Sequence, residues 1–461
     1  MKKVGDIQAV YFIGIGGIGM SALARYFRSL GKRVSGYDRT ETELTKKLEE
    51  EGIAIHYEER LDLIDKDADI VVYTPAIPKE HKELVYYREN GYELLKRSDV
   101  LGIITASSFN ICIAGTHGKT TTTTMVAHIL RDSGYGCNAF LGGIAANYDS
   151  NFWSHERNVC VVEADEYDRS FLKLSPDMAV ITAMDADHLD IYGTPGAMEE
   201  AFIQFSGKLK AGGVLFCRSG LKREAELKGD HRFTYSRDDS HADVYALNVR
   251  NREGGYVYDV KGMNWELKDV MLMMGGLHNI ENSVAAIAIA KRLGIEDGKI
   301  KEAIAGFKGV KRRFEYVLPV RDRESVVFVD DYAHHPEELK ALITSARSLF
   351  PERKCTVVFQ PHLFSRTRDF ADEFAEVLGL ADEVLLLPIY PARELPIPGV
   401  ESEMLQRKIA NGKAKVLSKE MLPEYIKGEN RSNRLDLLIT AGAGDIDKLV
   451  QPLRQIITTN R

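Results

Sequence analysis

The stretch Ile111-Cys-Ile-Ala-Gly-Thr-His-Gly-Lys-Thr-Thr-Thr-Thr-Thr124 constrains the fold of this chain more than any other. A short apolar run reads as a buried strand, breaks at a Gly-rich turn and leads into a lysine and five consecutive threonines. Glycines let backbone N–H groups close on phosphate oxygens, a lysine supplies a point charge, and a hydroxyl reaches a magnesium ion. Residues Met125 to Ser133 read as a helix, whose positive end would face the phosphates. The loop is shorter than the standard phosphate-binding loop, because Ile113 rather than glycine stands five positions before Gly118. A nucleoside triphosphate site on a parallel α/β sheet is the expectation.

The chain has 461 residues, more than one ordinary core holds, and about three domains are expected. No apolar run approaches the roughly 20 residues that span a bilayer, so no membrane partner is expected. Met1-Lys-Lys-Val runs straight into a strand and a glycine motif, unlike a secretory signal. The five cysteines are scattered, odd in number and without a CxxC pair. That pattern fits a reduced cytoplasm better than a disulfide framework or a zinc site. A net charge of −7, with no basic stripe, argues against a nucleic-acid partner.

Three blocks follow one another. In the first, residues 1–98, the strand Ala9–Ile13 runs into Gly14-Ile-Gly-Gly-Ile-Gly19, a helix from Met20 to Leu30, and a strand Arg33–Tyr37 ending at Asp38. This is the order of a dinucleotide-binding fold, with phosphate on the helix start and a hydroxylated group near Asp38. NAD and a diphosphate sugar nucleotide both suit it. A third strand, Ala68–Tyr73, ends at Thr74. The second block, 99–308, starts with the phosphate loop; its strands Asn158–Val162 and Met178–Thr182 deliver Glu163, Asp165, Glu166 and Asp168, then Asp185, Asp187, His188 and Asp190. The third, 309–461, alternates the strands Ser325–Val329, Cys355–Phe359, Glu383–Leu387 and Leu435–Ile439 with helical stretches, a second doubly wound unit. The fold class expected is α/β, with Rossmann-like domains at both ends and a P-loop-type ATPase domain between them.

Hard magnesium wants oxygen ligands, which Thr120, Glu163 and phosphate oxygens supply, and His188 could hold a second ion or a phosphate. His334 and His335 follow Asp330-Asp331-Tyr332 at a strand end, Arg312 and Arg313 stand at the second junction, and His362 and Arg366 follow another strand. Six of the twelve histidines (His117, His188, His278, His334, His335, His362) fall in such strand-end motifs, which favours one shared cleft.

Together these motifs resemble the Mur ligases, the ATP-dependent amide-forming enzymes of bacterial peptidoglycan synthesis. The carrying residues are Ala114–Thr121, Glu163, Asp187-His188-Leu-Asp190, His278-Asn279-Ile-Glu-Asn282, Arg312-Arg313-Phe314-Glu315, Asp331–Pro336 and Phe359–Arg366. Gly14–Ala24 and Tyr332–Pro336 are similar to the member that adds the first amino acid. The resemblance implies UDP-N-acetylmuramate, L-alanine and ATP with Mg2+ as the reactants, and a monomer or weak homodimer. It places the sugar nucleotide on Gly14, Gly16, Gly17, Ile18, Gly19, Asp38 and Thr74. It places ATP on Gly115, Thr116, His117, Gly118, Lys119, Thr120, Thr121, Asn282, Arg313 and Asp331. Metal falls to Thr120, Glu163 and His188. Tyr332, His334 and Arg366 would meet the amino acid and the transferring phosphate, with His334 or His335 taking a proton, and the C-terminal domain would close over ATP. Several relatives carry a carbamylated lysine after the Asp-His-x-Asp motif. None stands at that spacing in Met198–Phe205, so the second metal would lean on His188 and water. Leu363 stands where some relatives have arginine, which leaves more of the anion binding to Arg366. A ligase that joins a recycled tripeptide to the same sugar nucleotide shares these motifs. A NAD-dependent oxidoreductase would use Gly14–Gly19 and Asp38 alone.

Overall fold

The computed structural model describes residues 3–185, 189–252, 254–320, 323, 325–392, 394–409 and 412–459. They form two compact units. One comprises Met1–Leu247, Asp259–Lys268 and Glu281–Ile304; the other comprises Asn248–Tyr258, Asp269–Ile280 and Ala305–Arg461.

The first unit opens with five parallel strands: β1 (Ala9–Ile13), β2 (Arg33–Tyr37), β3 (Ala54–His56), β4 (Ile70–Tyr73) and β5 (Leu94–Lys96). Their order is β3-β2-β1-β4-β5, the doubly wound arrangement the glycine motif predicts. β1 is the middle strand, and all five of its residues are buried, because helices cover both faces of a parallel sheet. The Ile18–Ser29 helix follows the glycine loop and packs Met20, Leu23 and Phe27 into the core.

The same unit carries β6 (Phe109–Ala114), β7 (Asn138–Ala145), β8 (Ser150–Trp153), β9 (Val159–Glu163), β10 (Met178–Ile181), β11 (Val214–Arg218) and β12 (His231–Ser236), in the order β12-β11-β10-β6-β9-β7-β8. All pair in parallel except β7 with β8. Three further strands, β13 (Val244–Arg252), β14 (Gly255–Lys261) and β15 (Glu266–Leu272), include residues of both units.

The helix after β6 spans Lys119–Asp132, six residues earlier than the sequence suggests. Threonine is a poor helix former because its hydroxyl competes for backbone groups. Here the competition is settled inside the helix: Thr123 Oγ1 donates to the Lys119 carbonyl (2.8 Å) and Thr124 Oγ1 to the Thr120 carbonyl (2.7 Å).

The second unit holds β16 (Glu315–Tyr316), β17 (Val327–Asp331), β18 (Cys355–Phe359), β19 (Glu383–Leu386), β20 (Ala414–Val416) and β21 (Leu437–Ala441), in the order β16-β17-β21-β18-β19-β20. Only the edge strand β16 is antiparallel. β17 and β21 each lie two residues beyond the start expected from the apolar runs, so Asp330 and Asp331 belong to the strand itself.

Candidate active site

The phosphate loop turns sharply after β6. Gly115 has φ +138°, and a Cβ there would lie 2.0 Å from Thr182 Oγ1, so no other residue fits. The Thr182 hydroxyl donates to the His117 carbonyl, and its N–H to that of Ala114 (3.0 Å), which ties the loop to the end of β10. Asp185 N–H donates to Thr116 Oγ1 (3.2 Å). Gly118, at φ +81°, faces Asn282: a Cβ would stand 2.7 Å from its Oδ1. Asn282 therefore sits against the loop, while the His117 side chain is exposed.

Lys119 starts the helix, and its Nζ donates to the Gly115 carbonyl (2.6 Å) and to Glu166 Oε1 (2.7 Å). The Glu166 side chain is fully buried; burial pushes its pKa up and Lys119 pulls it back down. Glu166 was only one of four acids after β9 in the sequence, and nothing there singled it out. Thr120 Oγ1 donates to Glu163 Oε1 (3.0 Å), and Gly142 N–H to Glu163 Oε2 (3.0 Å). Among the described residues no three His, Cys, Asp or Glu side chains form a metal-binding group. A hydroxyl beside one carboxylate, at the start of a phosphate-facing helix, nonetheless suits a hard divalent cation that takes its other ligands from phosphate and water. Asp187 and His188 lie outside the described residues.

The glycine motif after β1 forms a second loop. Gly14, at φ +87°, sends its N–H to the Tyr37 carbonyl (2.8 Å). Gly16 N–H donates to Asp38 Oδ2 (2.7 Å), and Thr40 N–H to Asp38 Oδ1 (3.2 Å). Sequence reasoning places a ligand hydroxyl near Asp38; in the structure both of its oxygens are engaged by backbone amides, one of them in the glycine loop itself. Thr74 Oγ1 accepts the Ala76 N–H (3.0 Å) beside this loop. A Cβ on Gly19 would lie 2.5 Å from Arg97 Nη1, and Arg97 pairs with Asp165 (3.2 Å). A cavity of about 240 Å³ is lined by Ile18, Gly19, Arg97, Gly142, Glu163 and Asp165 among others. It joins the end of the glycine motif to the Glu163 carboxylate. Arg97 had no sequence signal, since it opens a helix with no motif around it.

The second unit has its own polar cluster at the ends of β17 and β18. Asp331 accepts the Phe314 and Ala333 N–H groups (both 2.7 Å), and burial raises its pKa to about 6. Asp330 accepts the Thr440 hydroxyl (2.6 Å) and lies 3.4 Å from Arg312 Nε; burial raises it to about 7, with Arg312 opposing. The Arg312 guanidinium stands 5.1 Å over the Tyr332 ring. Tyr332 meets His334 edge-on (5.2 Å between centroids), and His334 meets His362 (5.9 Å). His362 Nδ1 is 3.4 Å from Arg366 Nη1, and its pKa is lowered by burial and by the neighbouring Arg366 charge. Leu363 turns this loop at φ +71°, a strained conformation for a branched side chain and one that strand-end functional loops retain. His335 departs from the group: it caps the Pro336–Leu349 helix, and its ring packs on Phe370 (4.7 Å). Arg313 is exposed.

A doubly wound sheet with a glycine motif, a glycine–lysine phosphate loop backed by a hydroxyl and a carboxylate, and a separate α/β unit with an Arg–His cluster define a nucleotide-dependent α/β enzyme of three sheets. Residues 9–109 match the model of the Mur ligase family catalytic domain, residues 113–290 the Mur ligase middle domain, and residues 312–444 the Mur ligase glutamate ligase domain. The chain is 49% identical to the UDP-N-acetylmuramate–L-alanine ligase of Phocaeicola vulgatus, over 97% of each chain. It is 47% identical to the ligase of that name from Flavobacterium johnsoniae, over 99% of this chain and 100% of the other. The crystal structure of the UDP-N-acetylmuramate–alanine ligase of Thermotoga maritima superposes with a TM-score of 0.81 at 29% identity, over 98% of this chain and 100% of the other. A murein peptide ligase from Psychrobacter arcticus shares the fold at 22% identity (TM-score 0.65). The chain belongs to the Mur ligase family. That membership sets aside the oxidoreductase reading of the glycine motif.

Proposed function

We propose that this chain joins L-alanine to the lactyl carboxylate of UDP-N-acetylmuramate, with cleavage of ATP to ADP and phosphate. The similarity to relatives that carry this name, over nearly the full length of both chains, supports the reading. The observation that carries it in the structure is the Lys119 ammonium, held between the Gly115 carbonyl and Glu166 at the head of a helix, one residue from the Thr120–Glu163 pair.

The sugar carboxylate attacks the γ-phosphorus, the bond to the β,γ-bridging oxygen breaks, and ADP leaves an acyl phosphate. The amine of L-alanine attacks its carbonyl carbon, loses a proton and expels phosphate. The first step brings an anion to a polyanion. Lys119 and the loop N–H groups supply positive potential where that charge concentrates. Mg2+ held by Thr120 Oγ1 and Glu163 would neutralise more of it. Arg97, on the cavity between the glycine motif and Glu163, suits the lactyl carboxylate; Asp165 holds it in place meanwhile. In the second unit, His334 is the proton acceptor we assign, since its ring meets those of Tyr332 and His362 while that of His335 packs on Phe370. Asn282, Arg313 and Asp331 serve the nucleotide, and His188 the metal. We assign residues 1–98 to the sugar nucleotide, 99–308 to ATP and 309–461 to the amino acid. The same reading makes the protein a cytoplasmic monomer or weak homodimer.

The test is phosphate release from ATP with UDP-N-acetylmuramate and each amino acid in turn. L-Alanine should give the highest kcat/KM. Faster release with the L-alanyl tripeptide than with L-alanine would overturn the assignment in favour of peptide recycling.

A further inference from the structure

A cavity of about 660 Å³ lies in the first unit, and none of the residues assigned above lines it. Its wall includes Arg25 and Arg28 from the last turns of the Ile18–Ser29 helix and Arg131 from the last turn of the Lys119–Asp132 helix. At about 1.5 Å per residue, Arg25, Arg28 and Arg131 lie about 10, 15 and 18 Å along their helices from the loops at the helix starts. Cys137, Phe152 and Trp153 back the cavity, each less than a tenth exposed, and Ser29, Ser150, Ser154 and His155 also line it.

Each arginine is held in place. Arg25 is 7% exposed; its Nε and Nη2 donate to Glu51, and its Nη1 to Asn151 Oδ1. The Arg131 guanidinium carbon stands 4.0 Å over the Tyr148 ring and 5.3 Å from that of Trp153, cation–π contacts that leave its N–H groups available as donors. Arg28 Nε reaches only the Glu51 carbonyl (3.4 Å). Neither Arg28 nor Arg131 has a carboxylate within 4 Å among the described residues, whereas many surface arginines of this chain do. Glu51 is the one acid lining the cavity, and Asp132 adjoins Arg131 in sequence. Three guanidiniums against one carboxylate also outweigh the negative ends of the two helices.

We propose that this cavity is a second ligand site, for a small organic phosphate whose phosphoryl groups meet Arg28 and Arg131 and whose ring lies on the Trp153 side of Arg131. Fork-shaped donors suit phosphate oxygens, and a cavity of this size takes more than a bare inorganic anion. A ligand there touches both helices that carry substrate loops at their opposite ends, which suits an effector rather than a reactant.

The chain has two tryptophans, so Trp265→Phe leaves Trp153 as the sole indole reporter. In that background, titration with sodium tripolyphosphate should give a saturable fluorescence change, and a nucleoside triphosphate should give one at several-fold lower concentration. Arg28→Glu or Arg131→Glu should each raise the half-saturation concentration by about tenfold, since each removes a charge-assisted phosphate contact. Arg28→Gln and Arg131→Gln should give smaller shifts in the same direction. Lys119→Ala should leave the titration with tripolyphosphate unchanged. The proposal falls if no saturable change is seen, if the arginine variants titrate like the parent, if the ring-bearing phosphate binds no tighter, or if Lys119→Ala abolishes the signal. That last result would place the signal at the phosphate loop. None of these readouts depends on which amino acid the enzyme uses.

Discussion

Lys119 is poised by a contradiction. Its ammonium is satisfied by a carboxylate whose burial disfavours the charge it must carry to hold the lysine. On the proposed function, a phosphate would offer Lys119 a better partner, and the pair would then exchange. Glu163 is constrained differently, by the glycine beside it. A Cβ on Gly142 would stand 2.3 Å from both Glu163 carboxylate oxygens, so the absence of a side chain there lets the carboxylate occupy the position from which it meets Thr120. Gly142→Ala should turn Glu163 away and raise the Mg2+ concentration for half-maximal activity by about tenfold, because a magnesium site tolerates little distortion of its ligands. The residue is exposed, so the urea midpoint should hardly move. An unaltered Mg2+ titration would remove Glu163 from the metal site. Most of the residues in these contacts were legible as types and spacings: Gly115, Gly118, Lys119, Thr120 and Glu163 are motif residues. Glu166, Gly142 and Arg97 were not, because their importance lies in a close approach across the fold, and the chain near them has no period or pattern that marks it.

Among the elements, β1 and β18 occur at the residues their apolar runs indicate, since fully buried parallel strands leave largely hydrophobic segments. The Lys119–Asp132 helix began earlier than expected because its threonines satisfy their own hydroxyls along the helix, which propensity does not reveal. The packing of the Ile18–Ser29 helix onto β7 and β8 was invisible in the sequence, and one side chain explains much of it. Asn151, on β8, is fully buried; its Nδ2 donates to the Ile18 carbonyl and to Ser21 Oγ (2.9 Å), and its Oδ1 accepts from Arg25. Asparagine in a strand is a poor local choice, and it is kept here because it meets three polar groups of a helix from a different sheet. Asn151→Ala leaves those groups buried and unmatched and should cost about 2 kcal/mol in urea unfolding. A loss under roughly 0.5 kcal/mol, the size of an ordinary surface change, would mean that this contact does not hold the helix in place.

At the scale of the whole molecule, each compact unit buries an acid that folding holds toward its neutral form. In the first, Glu83 is fully buried, accepts the Tyr11 hydroxyl (2.8 Å), faces His56 and Glu59, and has a pKa raised by burial to about 7. In the second, Asp330 is raised by burial to about 7 in spite of Arg312. An acid whose pKa is higher folded than unfolded binds more protons in the native state. Its contribution is therefore complete below the unfolded value, 4.5 for Glu83 and 3.8 for Asp330, and is lost as pH rises through about 7. His56 and His362 act with the opposite sign, because burial lowers their pKa and acid then favours unfolding. His362 is present in parent and variant alike and cancels in a comparison of the two, whereas His56, 3.6 Å from Glu83, cancels only for the Asp330→Asn variant, which leaves its surroundings intact. Glu83→Gln and Asp330→Asn keep an acceptor for Tyr11 and Thr440 but cannot ionise. Urea unfolding of each variant, followed from pH 4.5 to 8, should thus lose less stability than the parent across this range. If the two units unfold in separate transitions, Glu83→Gln should flatten the pH dependence of one and Asp330→Asn that of the other. Parallel pH curves for parent and variant would mean that these carboxyls titrate in the folded protein as they do in the unfolded chain. A single transition flattened equally by both substitutions would mean that the two units unfold as one.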